Sequence, residues 1–155
     1  FDRRTMIGET EESAMEILQR VLDECAAEDP EFKAEVEVKP DIDHCYTGEV
    51  MSGYKFTEAW KIKKDHPFTQ ACAKALENIG QPVKYGYWSF ATDAAVTAGH
   101  YRKPTIGYSG MQEQFAHTPY DKCRTDFIEK AMAGNAAIFL TTSQMNKEDF
   151  KKLDF

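Results

Sequence analysis

Apolar residues recur at helical spacing through Ala14, Ile17, Leu18, Val21, Leu22 and Cys25, and predict an amphipathic helix. Thr10 is placed to cap it, Glu11 and Glu12 fall in its first turn where the helix dipole favours acid, and Pro30 marks its end. A second stripe, Phe68, Ala71, Cys72, Ala75, Leu76 and Ile79, predicts a helix capped by Asp65 and stopped by Gly80. Phe127, Ile128, Ala131, Met132, Ile138 and Phe139 give the buried side of a last helix over Asp126 to Thr141. An alanine-rich helix ending near Gly99 lies between the last two. Strands are predicted at Phe1 to Ile7, at Lys33 to Val38 by strict alternation, at Val83 to Trp88, and at Pro104 to Tyr108. The stretch from Lys39 to Lys64, with Pro40, Gly48, Gly53 and the bulky Tyr46, Tyr54, Phe56 and Trp60, reads as an irregular connection between two modules. Phe150 and Leu153, in an otherwise polar tail, are expected either to dock or to fray.

This order of helices and widely separated strands predicts an α/β chain, with strands too far apart for hairpins. Its two loops with chemistry, Ser89 to Asp93 and Ser109 to Asp121, follow predicted strands at the edge where open α/β sheets place ligands. Strand, helix, strand over the first 40 or so residues is half a layer unit, with an edge left to be covered.

Composition narrows the classes. A formal charge of −7 argues against nucleic acid, because phosphate binding needs clustered Lys and Arg; the densest basic run, Lys61, Lys63 and Lys64, is closed by Asp65. No apolar run approaches the ~20 residues needed to span a bilayer, and no signal-peptide pattern is present. Cys25, Cys45, Cys72 and Cys123 are widely spaced, and two of them sit on apolar helix faces, which favours a reducing, cytoplasmic setting over a disulfide framework. A start at Phe1, without Met and inside a predicted strand, is expected of a truncated or processed piece. The group Asp41, Asp43, His44 and Cys45 has metal-friendly residue types but reads as a solvated loop beside Pro40. His117, taken alone, is one imidazole where a zinc site needs three or four ligands.

Three motifs in order change the reading. Asp2-Arg3-Arg4 followed by Gly8-Glu9-Thr10, then Phe90-Ala91-Thr92-Asp93, then PTIGYSG with Ala116-His117-Thr118-Pro119-Tyr120-Asp121, resemble the dizinc amidohydrolases and peptidases. That family includes acetylornithine deacetylase, succinyl-diaminopimelate desuccinylase, aminoacylase and related carboxypeptidases. The resemblance implies half of a ferredoxin-like lid or dimerisation domain with its crossover (1–60), and the C-terminal portion of a zinc peptidase-like mixed sheet with helices (61–155). It implies hydrolysis of an N-acyl amino acid or small peptide by water activated between two zinc ions, with cobalt or manganese as substitutes. His117 is implied as a metal ligand, and Arg4, Thr92 and Asp93 as substrate-binding residues. The remaining ligands and the general base are implied to lie in the family's N-terminal half, so the 155 residues alone are expected to be inactive. A homodimer through the lid is implied as well. Departures are Asp121 where the family usually has Glu, Ser109 where it often has Pro, and His100 to Lys103 in place of its "GIP" approach. Thr92 and Asp93 read equally as an N-cap, and Asp121 as a hydrogen-bond partner of His117 or as a turn cap. The rival expectations are a non-catalytic dimerisation or ligand-binding module, and an α/β small-molecule binder with fortuitous motifs.

Overall fold

Gly8 turns the chain in left-handed backbone (φ 88°) just before the first helix. Thr10 then caps α1 (Glu11–Glu28): its hydroxyl accepts from the Ser13 N–H, and the Ser13 hydroxyl accepts from the Thr10 N–H. Two of the N–H groups a helix start leaves without partners are satisfied reciprocally. Glu9 holds the approach, pairing with Arg3 and accepting from the Met6 N–H at 2.7 Å. The Glu12 carboxyl is held below its usual range by its own backbone N–H and the Thr10 hydroxyl. The computed structural model describes residues 3–53, 56–88 and 90–155. Expectations that fall on Phe1, Asp2, Tyr54, Lys55 and Ser89 lie outside the described residues.

The chain divides into two compact units, one up to Ala59 and one Trp60–Phe155. In the first, α1 has no fully buried residue, and Ile17 and Val21 on its predicted apolar stripe are exposed. The predicted strand at Lys33 to Val38 carries no strand pairing. Instead β1 (Asp41–His44) and β2 (Val50–Gly53) form an antiparallel hairpin, pairing Asp41 with Gly53 and His44 with Val50. The Cys45 N–H donates to the Glu49 carbonyl at 2.8 Å and the Gly48 N–H to the Cys45 carbonyl at 3.0 Å, with Gly48 at φ 89°. The segment expected as a connection and solvated loop is therefore a hairpin, because a left-handed glycine closes a turn short enough to bring its arms together.

The core lies in the second unit. α2 (Pro67–Asn78) buries Thr69, Cys72, Ala73 and Leu76, one face at helical spacing, together with Ala75. Burial pushes the Cys72 thiol up to about 11. His66, not Asp65, is the cap: its Nδ1 accepts from the Phe68 N–H at 3.1 Å, and Pro67 takes the first helical position. Gly80 at φ 76° ends the helix, donating to the Glu77 carbonyl at 2.9 Å. α2 packs on α3 (Thr125–Thr142) and on the 3₁₀ turn Lys147–Phe150. The tail docks: Phe150 sits against Phe68 at 5.6 Å, Leu153 is buried, and the Leu153 N–H donates to the Arg102 carbonyl at 2.8 Å.

Among the described residues the hairpin is the whole of the sheet, so the structure is a mixed helix-and-strand chain without the open sheet expected from the apolar runs. Those runs pack by other means. The Trp88 ring covers Gly107, where an added Cβ would come within 2.5 Å of it; Gly134 of α3 has the Tyr108 ring equally close, at 2.6 Å. The Tyr108 hydroxyl bonds the Gln81 side chain and, at 3.3 Å, the Lys130 carbonyl. Aromatic rings seated on glycines thus fasten the two predicted strands without a ladder. The alanine-rich helix is a π-helical segment, Ala95–His100, with Ala95, Ala98 and Gly99 buried. Among the described residues no helix is long and apolar enough to cross a membrane.

Candidate functional site

The histidine loop opens with a 3₁₀ turn, Glu113–Phe115. Thr118 then fastens it: its hydroxyl donates to the Phe115 carbonyl at 2.8 Å and accepts from the Tyr120 N–H at 3.2 Å. His117 is exposed between these anchors and takes left-handed backbone (φ 59°), which is uncommon for a residue with a side chain and concentrates where a site over-determines the chain. Its ring meets Phe90 edge-on at 6.4 Å, and Phe90 stacks on Trp88 at 6.1 Å. Trp88 in turn lies on Gly107. The Phe90 turn, the PTIGYSG segment and the histidine loop therefore meet in one aromatic ladder.

Thr92 and Asp93 start the π-helical segment through their backbones: the Thr92 carbonyl accepts from Ala95 at 2.9 Å and the Asp93 carbonyl from Val96 at 3.0 Å. Ala94 occupies the capping position, with no side-chain cap bond, so the N-cap expected of Thr92 and Asp93 is replaced by a backbone turn. A π-helical segment directly after this turn is notable because such segments are rare and frequent at functional sites. The Asp121 N–H closes its turn on the Thr118 carbonyl at 3.1 Å. Arg4 is exposed and belongs to the unit ending at Ala59, whereas Thr92, Asp93 and His117 belong to the other. The structure thus gathers His117 with the Phe90 turn inside one unit.

What this arrangement offers chemically is one exposed imidazole on a braced loop. Among the described residues, no three His, Cys, Asp or Glu side chains converge in a way that would hold a metal ion. Two features escaped the sequence reading. The Trp88, Phe90 and Gly107 contact had a signal in the aromatic run beside a glycine-containing motif. A cleft of about 320 Å³ between the Ser109–Met111 and Asp121–Cys123 stretches and α3 had none.

The structure defines a mixed helix-and-strand protein in two units, one of which carries an aromatic-braced histidine loop. No family model matches the chain, and neither a curated protein nor a solved structure does.

Proposed function

We propose that this chain is part of a metal-dependent hydrolase of amide bonds, acting on an N-acyl amino acid or small peptide, and that His117 is its metal ligand. The observation that carries the reading is the Phe90 to His117 contact, by which two motifs distant in sequence meet at 6.4 Å. Left-handed backbone at His117 supports it, since strain of that kind is kept where a side chain must be aimed. A neutral imidazole suits zinc, and an exposed one leaves room for ligands from elsewhere. Zinc, when bound, would supply a water acidified enough to act as hydroxide near neutral pH.

Within this reading the chain's residues hold and orient. Thr92 and Asp93 line the substrate pocket from a turn braced by the π-helical segment. Arg4 offers a guanidinium fork for the substrate carboxylate, a geometry lysine cannot match. Residues 61–155 belong to a zinc peptidase-like catalytic domain and 1–60 to a ferredoxin-like lid that pairs in a cytoplasmic homodimer. The other ligands and the general base come from residues beyond these 155.

A second reading, an interaction module without catalysis, is favoured by one observation: Ile128, Met132, Phe139 and Leu140 of α3 are all exposed, Phe139 at 71%. Equilibrium dialysis against zinc, paired with an N-acetyl amino acid hydrolysis assay, separates the readings. The 155-residue chain is expected to bind zinc weakly, to lose that binding with His117→Ala, and not to turn over substrate. Tight stoichiometric zinc with hydrolysis by the chain alone would defeat the division of ligands. Zinc binding indifferent to His117→Ala would defeat the metal role and leave the module.

A further inference from the structure

Three sulfur-bearing residues from separate parts of the chain line the cleft beside α3: Met111, Cys123 and Met132. Cys123 lies just before the helix, exposed, with its thiol donating to the Gly110 carbonyl at 3.0 Å. Met111 is 40% exposed and Met132 68%, so neither thioether is spent on filling a core. A thioether is a weak hydrogen-bond acceptor, and water has little hold on it. It is a good donor to a soft metal, and thiolate with thioethers is the ligand set that selects the cuprous ion over zinc. Ile128 and Ala131 add apolar wall, and Ser109, Asp121, Lys122 and Asn135 complete the lining with hard oxygen and nitrogen groups that a soft monovalent ion leaves to water. Lys122, the competing positive charge on this wall, has its ammonium placed over the Phe115 ring at 4.6 Å.

We propose that this cleft is a soft-metal site that takes one cuprous ion through the Cys123 thiolate and the Met111 and Met132 thioethers. Binding breaks the Cys123 S–H bond and forms a sulfur–copper bond. The proton leaves to solvent, the Gly110 carbonyl loses its donor, and copper keeps its oxidation state. Unbranched methionine side chains supply the adjustment a three-sulfur set requires. His117 is not among the lining residues, so the site does not use the metal ligand of the hydrolase reading, although Ser109, Gly110 and Asp121 of its motifs share the wall.

The test is an anaerobic titration of the 155-residue chain with cuprous ion presented by a chromophoric chelator, in a Cys25→Ser, Cys45→Ser background that removes other accessible thiols. One equivalent is expected to transfer, unaffected by added zinc and by His117→Ala. Met111→Leu and Met132→Leu nearly conserve volume, so they should fold, and each should weaken binding by about tenfold or more. Cys123→Ser should abolish it. X-ray absorption of the loaded protein should show a sulfur-only shell. Retention of the equivalent by Cys123→Ser would overturn the site. Parent-like affinity in the double methionine variant would also overturn it, reducing the binding to that of a thiol alone.

Discussion

Gly134 sits inside a helix, where alanine is ordinarily better by about 1 kcal/mol because it loses less backbone freedom. Here the close approach of Tyr108 reverses the preference. A Cβ at 134 would lie 2.2 Å from the Tyr108 hydroxyl oxygen and 2.6 Å from two ring carbons. The ring cannot swing away cheaply while its hydroxyl is bonded to Gln81 and Lys130. Gly134→Ala is therefore expected to destabilise by about 1–2 kcal/mol net, within the range for overpacking, as read from urea unfolding. In a Tyr108→Ala background the same change should become neutral or stabilising. The Asp126 carboxyl provides a second residue-level test. Hydrogen bonds from Arg124 at 2.9 Å, then its charge and that of Lys130, hold this carboxyl below the usual aspartate range. A depressed carboxylate stabilises above its unfolded pKa and loses that contribution as pH falls through the folded value. Acidification below about pH 4 should therefore loosen the start of α3, and Asp126→Asn should flatten that part of the pH profile.

Elements were legible where a period and a boundary signal agreed. α1, α2 and α3 stand where the helical spacing puts them, with Thr10 as cap of α1 and Gly80 as stop of α2. But Ile128, Met132 and Phe139, read as the buried side of α3, are exposed, because spacing fixes a face without naming what covers it. Asp65, the commoner capping residue, is one position too early to cap α2, whereas Pro67 at the first helical position points to His66. Replacing His66 by Ala removes the acceptor for the Phe68 N–H and the contact between Nε2 and the Lys151 carbonyl at 3.3 Å. A loss of about 1 kcal/mol is expected by thermal or urea melting. His66→Asn should recover most of it. Strands were far less legible, for a physical reason: a run such as Val83 to Trp88 has strand composition, but a ladder needs a partner that composition does not name. In this chain Trp88 and Tyr108 found glycines instead, at Gly107 and Gly134. Asp41–His44 and Val50–Gly53 pair despite poor strand composition, because the turn at Gly48 sets their register. The π-helical form of Ala95–His100 had no sequence signal beyond its small residues.

In the whole molecule, the buried core of the second unit is mostly small side chains, Cys72, Ala73, Ala75, Ala95 and Ala98, with Leu76 and Leu153 as its larger members, while α1 and α3 keep apolar residues in solvent. That imbalance accompanies the proposed role as part of a larger protein, in which those faces would be covered. The histidine loop itself was singled out by sequence, but what braces it was not. The stack of Trp88 on Phe90 and the edge-on contact of Phe90 with His117 depend on tertiary approach and leave no periodic trace. The role of His117 as a zinc ligand is tested most directly by histidine-resolved NMR of the 155-residue chain titrated with zinc. Four imidazoles compete: His44, His66, His100 and His117. His66 has its Nδ1 engaged by the Phe68 N–H, and the His100 ring stands edge-on to Tyr101 at 4.8 Å. That role predicts that the His117 ring signals move first and furthest, in fast exchange as one ligand requires. Zinc that shifts the other histidines and leaves His117 unmoved would contradict it.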